Sequence, residues 1–216
     1  SSSLSRLGTP REALGGYTRR HAMDRRPVIC PLASADDSVW AEYISKLADR
    51  TSMHVDERLP QPQQVAHGVF LGGLHEAADV QLLQDRGIDC VLNMALAQCG
   101  PSSSRYPSHF TMLDIDAEDA TDYDLFEADV PRALEFIQRC LGECRPVLVH
   151  CFAGMNRSAT VCAAWMLTTQ HLRLDQAARR LARLRGLVLQ NPTFNEGLAA
   201  LARGEGLLDA GELDEE

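Results

Sequence analysis

Short apolar runs alternate along most of the chain with longer segments whose apolar residues recur every three or four positions. The short runs predict strands at residues 68–72, 88–94, 110–115 and 147–150. The longer segments predict helices at residues 75–86, 125–142, 157–170, 174–184 and 193–203, and residues 96–107 are predicted to be a loop. Such alternation indicates an α/β domain with a mainly parallel central sheet flanked by helices. Because Pro131 lies inside the segment 125–142, we expect a kink or a late helix start there.

A further helix is predicted in front of this domain. Its apolar residues share one stripe at helical spacing: Val39, Trp40, Tyr43, Ile44 and Leu47. A helix this short needs a partner that covers the stripe. We expect the stripe to dock on the chain's own domain, and a homodimer formed through this helix is the alternative.

Composition and charge divide the chain into four segments. Residues 1–34 form a basic arm, which we expect to be flexible, with six arginines against two acidic residues. Residues 35–64 hold the N-terminal helix and a polar, proline-bearing linker, residues 65–204 form the α/β domain, and residues 205–216 form an acidic tail. The chain carries a net charge of −9, so the arm, at +4, leaves −13 for the rest.

Composition also argues against several classes of protein. No window approaches 18 consecutive apolar residues, so we expect no membrane span. The negative net charge argues against a nucleic acid as partner. The chain has seven cysteines, an odd number without the spacing of a disulfide framework. They indicate a reducing compartment, the cytoplasm or the nucleus.

Residues 150–158, with the sequence His-Cys-Phe-Ala-Gly-Met-Asn-Arg-Ser, carry the candidate chemistry. They lie between the apolar run 146–149 and an apolar helix, where backbone N–H groups and the helix N-terminus can bind an anion. Gly154 allows the tight turn, and Arg157 can donate two parallel hydrogen bonds to a phosphate. The same positive potential favours the thiolate of Cys151, which is the nucleophilic form. The segment therefore predicts a site that holds a phosphate monoester against a sulfur nucleophile.

The remaining residues of the segment have predicted supporting roles. The substrate-binding wall is expected to consist of Phe152, Ala153, Gly154, Met155 and Asn156, whose backbone N–H groups face the phosphate. His150 is expected to orient the loop through hydrogen bonds rather than to transfer protons. Ser158 is expected to donate to the Cys151 sulfur and help it leave, or to cap the helix.

The segment resembles the His-Cys-x5-Arg-Ser signature of cysteine-dependent protein tyrosine phosphatases, and its flanks resemble the dual-specificity branch. The resemblance extends from about Val65 to about Arg203. The Asn-Arg-Ser ending of the loop and the sequence Asn-Pro-Thr-Phe at residues 191–194 are similar to poxviral-type members. The resemblance implies a fold like that of protein tyrosine phosphatases, with a short N-terminal helical extension.

The resemblance also implies a carboxylic acid that protonates the leaving oxygen. The family places this acid after the strand predicted at residues 110–115, six residues before the leucine that opens the next helix. Counting back from Leu125 gives Asp119, in an acidic run without a basic residue. Asp116 and Asp122 are the alternatives.

Four arginines follow on the helix predicted at residues 174–184 and directly after it. Arg185 lies where relatives in this family carry an arginine near the active site, so it is expected to support the site and to attract a second phosphate or an acidic flank of a substrate. Arg179, Arg180 and Arg183 are expected to form a solvated basic face.

The activity that the resemblance implies is hydrolysis of phosphotyrosine and phosphoserine/threonine through a cysteinyl-phosphate intermediate. It implies no metal or other cofactor, since Arg157 supplies the positive charge. The expected substrate is a phosphorylated protein, such as a signalling kinase or a transcription factor. Cys140 and Cys144, one helical turn apart, are interpreted as buried or incidental thiols, with a redox partner for Cys151 as the alternative.

Three alternatives to a protein phosphatase remain open. Phosphoinositide phosphatases of this superfamily usually carry lysines in the loop, and this loop has none. RNA 5′-triphosphatases tend to carry histidine at the position of Ala153 and threonine at that of Ser158. An inactive phosphoprotein-binding module is the third alternative, although the nucleophile, arginine and acid positions are all filled.

Overall fold

The computed structural model describes residues 35–52, 61–127 and 129–208, so the predicted arm and most of the acidic tail lie outside the described residues. The strands are β1 (Gln63–Ala66), β2 (Val69–Gly72), β3 (Cys90–Asn93), β4 (Thr111–Asp114) and β5 (Val147–His150). The helices are α1 (Asp37–Ser52), α2 (Leu74–Ala78), α3 (Val80–Asp85), α4 (Leu96–Cys99), α5 (Asp129–Gly142), α6 (Arg157–Gln170), α7 (Leu174–Arg185) and α8 (Pro192–Gly204), with a 3₁₀ helix at Ser102–Ser104. Within these ranges, no helix is long and apolar enough to cross a membrane.

The five strands form one sheet in the order β1-β2-β5-β3-β4. Only the edge pair β1–β2 is antiparallel, so the predicted mainly parallel α/β sheet is confirmed. Gly72, His150 and Asn93 end the three inner strands in register. Because ligands of parallel sheets bind beyond the carboxyl ends of the strands, this edge is where a site is expected.

Alternate side chains of the inner strands enter two separate apolar layers, as the two-residue period of a strand requires. One set packs with residues of α1 and α5 to α8: Val69, Leu71, Cys90, Leu92, Val147 and Val149. The other set packs with residues of α2, α3 and the loop before β4: Phe70, Val91 and Leu148. The sheet is thus covered on both faces, which explains why its strands are continuous apolar runs in the sequence.

The apolar stripe of α1 docks on the chain's own domain, against α7 and α8. Trp40 and Ile44 are fully buried. Polar contacts continue the interface, because Asn195 donates to the Ser45 hydroxyl at 3.0 Å and Arg203 donates to Asp37 at 2.9 Å. The stripe on which the alternative homodimer depended is therefore covered by the same chain.

Replacing Trp40 with alanine is expected to lower the free energy of unfolding by about 3–5 kcal/mol, because a large, fully buried side chain leaves a cavity. The neighbouring Val39→Ala is the matched control. Val39 is 42% exposed, so its truncation should cost less than about 0.5 kcal/mol. Denaturant titration of the full chain measures both, and equal losses would show that α1 is not anchored through Trp40.

The structure differs from the predicted elements at three places. Residues 63–64, assigned to the linker, belong to strand β1, whose polar glutamines suit an edge strand. The helix predicted at residues 75–86 is split, because Asp79 leaves the helix and accepts a hydrogen bond from the Leu82 N–H at 3.0 Å, which starts α3. Helix α4 and the 3₁₀ helix lie in the segment predicted to be a loop. The late start of the next helix is confirmed, since α5 begins at Asp129 and holds Pro131 in its first turn.

Candidate active site

Cys151 follows strand β5 directly, and its side chain is buried at the carboxyl edge of the sheet. Two donors reach its sulfur: the Gly154 N–H at 3.2 Å and the Ser158 hydroxyl at 3.2 Å. Both stabilise a negative charge on the sulfur, because hydrogen bonds to an anion are stronger than those to a neutral group. The predicted contact of Ser158 is confirmed, and the capping role is not, since Asn156 occupies the N-cap of α6.

The loop around the sulfur requires glycine at position 154. Gly154 has a φ of +74°, in the left-handed region that other residues rarely adopt. A Cβ atom there would also lie 2.7 Å from the Gly72 carbonyl oxygen. The loop can therefore curl over the sulfur only with glycine at this position.

Arg157 lies in the first turn of α6, and the residue is only 4% exposed. One terminal nitrogen donates to the Ala117 carbonyl at 3.0 Å and the other to the Gln98 side-chain oxygen at 2.6 Å. Its Nε is buried and has no hydrogen-bond partner among the described residues. A buried donor without a partner is costly. Since Arg157 lines a cleft of about 380 Å³, we infer that this cleft accepts an anion.

Asp119 is the candidate acid that hydrogen-bonds to the phosphate-binding loop. Its oxygens accept hydrogen bonds from the Asn156 side chain at 3.1 and 3.2 Å and from the Asn191 side chain at 3.0 Å. The two alternatives are placed differently, since Asp116 accepts from the Ala97 N–H at 2.7 Å and Asp122 lines a separate cleft against α8. The role of Asp119 as the acid stays a prediction, and its position favours it over both.

His150 is fully buried at the end of β5, and its Nδ1 lies 3.3 Å from the Cys151 carbonyl oxygen. Burial lowers the pKa of His150 to about 4, so the imidazole is neutral near pH 7. A neutral imidazole that hydrogen-bonds to a backbone carbonyl through one ring nitrogen can orient the loop. It is not a ready proton donor, in agreement with the predicted supporting role.

An ion pair between the buried Glu76 and the partly buried Arg185 supports the loop from the outside. The Arg185 guanidinium bonds to the Glu76 carboxylate and donates to the Ala153 carbonyl at 3.2 Å. Glu76 also accepts from the Gly73 N–H at 2.9 Å, which fixes the loop after β2. Burial raises the pKa of Glu76, but the hydrogen bond and charge of Arg185 outweigh it and lower the pKa below its usual value. Because its charge is engaged with Glu76, Arg185 supports the loop, and the prediction that it attracts a second phosphate finds no support.

The Glu76→Gln variant is expected to unfold with a free energy about 1.5–3 kcal/mol lower at pH 7, because it removes a charge-assisted bond from the partly buried Arg185. The folded pKa of Glu76 is depressed, so its contribution is fully present above the unfolded value of 4.5 and is lost as pH falls through the folded value. Wild-type stability should therefore decline more steeply below pH 4.5 than that of the variant. Denaturant titrations at several pH values, with the exposed Glu143→Gln as control, test this, and parallel pH curves would contradict it.

On its outer side, the loop exposes the Phe152 side chain, while hydrogen bonds from neighbouring segments hold its backbone. Phe152 is 53% exposed, and its carbonyl accepts from the Leu74 N–H at 2.9 Å. The Met155 carbonyl accepts from the Leu189 N–H at 3.0 Å, and the Asn156 side chain from the Gln190 N–H at 2.8 Å. The segment before α8 thus holds the far side of the loop.

Sequence reasoning missed four residues that contact the site: Glu76, Gln98, Ala117 and Asn191. Asn191 had a signal, since an asparagine before proline is typical of a helix N-cap, and its side chain does accept from the Phe194 N–H. No local pattern marks the other three.

The placement of Cys140 and Cys144 favours incidental thiols over redox partners of Cys151. Cys90 pairs in register with Val147, so it lies about 10 Å from the carboxyl end of a four-residue strand. The Cys140 carbonyl accepts from the Arg145 N–H at 3.0 Å just before β5 begins, and Cys144 is exposed in the turn between α5 and β5. Both thiols therefore lie at the edge of the sheet opposite to Cys151. Within the described ranges, no three His, Cys, Asp or Glu side chains are grouped so that they could hold a metal ion.

Comparison with known proteins gives a consistent result. The family model "Dual specificity phosphatase, catalytic domain" matches residues 69–203. Dual specificity protein phosphatase 2 of Homo sapiens is 34% identical over 163 residues, which cover 71% of this chain and 49% of that protein. Dual specificity protein phosphatase 1-A of Xenopus laevis is 29% identical over 133 residues, covering 62% and 35%. The chain thus spans half or less of the length of these curated relatives.

Solved structures agree with the fold. A variant of human DUSP28 is 25% identical with a TM-score of 0.61, covering 68% of this chain and 97% of that one. The tyrosine phosphatase OH1 of the Orf virus is 23% identical with a TM-score of 0.53, covering 73% and 95%. The second likeness concerns the fold alone, and the closer similarity to poxviral-type members stays a prediction.

Proposed function

Since this chain belongs to the dual specificity phosphatase family, we propose that it hydrolyses phosphotyrosine and phosphoserine/threonine esters of proteins through a cysteinyl-phosphate intermediate. One observation carries the proposal. The sulfur of Cys151 accepts two hydrogen bonds at the base of a glycine-dependent loop, and the buried Nε of Arg157, in the first turn of the helix after that loop, has no hydrogen-bond partner among the described residues. A sulfur anion can attack phosphorus, and an unpaired guanidinium donor can stabilise the negative charge on the phosphoryl oxygens.

In the first step, the Cys151 thiolate attacks phosphorus and forms the S–P bond while the bond to the leaving oxygen breaks. The leaving oxygen takes the proton of Asp119. Loop N–H groups and Arg157 stabilise the equatorial oxygens, most strongly in the transition state. Asn156 and Asn191 hold the Asp119 carboxylate beside the loop, which supports this assignment.

In the second step, Asp119 accepts a proton from water, whose oxygen attacks phosphorus and releases inorganic phosphate. The S–P bond breaks, and the electron pair returns to the Cys151 sulfur. The Ser158 hydroxyl, 3.2 Å from that sulfur, stabilises the departing thiolate. Arg157 and the loop amides again hold the phosphoryl oxygens.

A phosphorylated protein, such as a signalling kinase or a transcription factor, is the substrate class we propose. One relative, from Dictyostelium discoideum, is a MAP kinase phosphatase with leucine-rich repeats and is 32% identical over 140 residues. The structure of PTPMT1 in complex with PI(5)P is 22% identical to this chain, a likeness of fold that does not favour a lipid substrate here. The six cysteines in the described part are free thiols, which supports a reducing compartment, the cytoplasm or the nucleus.

Turnover of a small aryl phosphate and a panel of phosphopeptides, inositol lipids and triphosphate RNA under reducing conditions tests the proposal. We expect hydrolysis of the aryl phosphate and of both phosphotyrosine and phosphothreonine peptides. Selective hydrolysis of the lipid or the RNA would favour those alternatives. No turnover of any substrate would favour an inactive phosphoprotein-binding module.

A further inference from the structure

The cleft that Arg157 lines has an acidic wall. Its volume is about 380 Å³, and its lining includes the exposed carboxylates of Asp116, Glu118 and Asp119. None of the three forms an ion pair with a basic side chain of the described residues. Their charges therefore act on whatever enters the cleft.

The acidic surface continues around the same loop. A second cleft, of about 440 Å³, lies between this loop and α8 and is lined by Asp122, Asp124 and Glu196. Asp37 also lines it, but pairs with Arg203. A peptide that leaves the first cleft across the loop thus meets further carboxylates.

Basic side chains do not balance this surface. Arg157 is buried beneath the cleft, and Arg185 is bonded to Glu76 and to the phosphate-binding loop. Successive residues of an α-helix are about 100° apart, so Arg180 and Arg183 project about 140–200° around the α7 axis from Arg185. They face away from the loop that Arg185 contacts. The exposed charges that line the two clefts are therefore mainly carboxylates.

We propose that an acidic wall, formed by Asp116 and Glu118 next to the acid Asp119, selects substrates with arginine or lysine beside the phosphorylated residue. This inference rests on the proposed function and names its substrate class. The unpaired Nε of Arg157 takes the phosphoryl group, while the wall attracts a basic flank and repels an acidic one. The same repulsion disfavours polyanionic substrates such as phosphoinositides and triphosphate RNA.

Paired phosphopeptides that differ only in having arginine or glutamate beside the phosphotyrosine test the inference. An exposed ion pair is worth up to about fivefold in affinity, so the two carboxylates should favour the arginine peptide by roughly tenfold in kcat/KM. The preference should shrink towards unity near ~1 M salt, where screening acts within about 3 Å. Equal rates for the two peptides, or a preference that salt does not reduce, would overturn the inference.

The Glu118→Gln variant tests whether the acidic wall causes the preference for the arginine peptide. It should lower the arginine-to-glutamate ratio by about twofold to fivefold. Glu135→Gln, an equal change of net charge at an exposed residue of α5 outside both clefts, should leave the ratio unchanged. Equal shifts in the two variants would show that net charge, not the wall, sets the preference.

Binding of the same peptides to the Cys151→Ser variant separates this inference from the proposed function. A preference for the arginine peptide in Kd, without turnover by the wild-type chain, would support the wall and overturn the phosphatase assignment. Turnover of a small aryl phosphate without any preference between the two peptides would support the phosphatase assignment and overturn the role of the wall. Each result thus bears on one of the two proposals.

Discussion

The Cys151→Ser variant is expected to lose at least about 10³-fold in kcat while it keeps its fold and its ability to bind phosphate. The Gly154 N–H, the Ser158 hydroxyl and Arg157 all remain in place to hold an oxyanion. The new hydroxyl has no base that activates it, because His150 is buried with its Nδ1 beside a backbone carbonyl oxygen. Loss of turnover with retained binding is therefore the expected signature of a lost nucleophile.

Steady-state hydrolysis of a small aryl phosphate under reducing conditions measures the loss, and calorimetric titration with phosphate measures the retained binding. Cys144→Ser is the matched control, since it makes the same change at an exposed thiol on the opposite edge of the sheet. It should keep wild-type turnover. If Cys151→Ser also kept it, the nucleophile assignment would be wrong.

The second large effect is expected for Asp119→Ala, which should lower kcat/KM by about 10²–10³-fold for phosphoesters with poor leaving groups. Serine and threonine oxygens need a proton as they leave, whereas an activated phenolate leaves without one. The loss in the first step should therefore be much smaller for an activated aryl phosphate. A plot of rate against leaving-group acidity becomes steeper in the variant.

Asp116→Ala and Asp122→Ala are the matched controls for this result, because both remove a carboxylate from the same loop. Neither lies within hydrogen-bonding distance of Asn156 or Asn191, so neither should alter the leaving-group dependence. If Asp119→Ala slowed all leaving groups equally while one control steepened the plot, that residue would be the acid.

Elements buried on both sides were predictable from the sequence. Strand β5 and helix α6 have the predicted bounds, since each is apolar nearly throughout and lies in the centre of the fold. Strand β1 was missed, because an edge strand with polar residues has the composition of a linker. The break between α2 and α3 was missed too, since the helical pattern continues through Asp79 and only its cap to the Leu82 N–H ends it.

The site divides in the same way. Residues 150–158 act together because they are contiguous, so the sequence alone identifies the loop. The contact between Gln98 and Arg157 joins residues 59 positions apart, and the pair of Glu76 and Arg185 joins residues 109 apart. These contacts arise only because the parallel strands bring their carboxyl ends to one edge. Neither the periodicity nor the spacing of residues in the sequence predicts these contacts.

Rapid acid quench of the Asp119→Ala variant with an activated aryl phosphate, followed by mass spectrometry, tests most directly whether Cys151 carries the phosphoryl group. The variant lacks the base for the second step, so the intermediate should accumulate. We expect one phosphoryl group on the peptide that contains Cys151, and none in the Cys151→Ser background. Turnover without a phosphorylated cysteine, or with the phosphoryl group on another residue such as His150, would contradict the account.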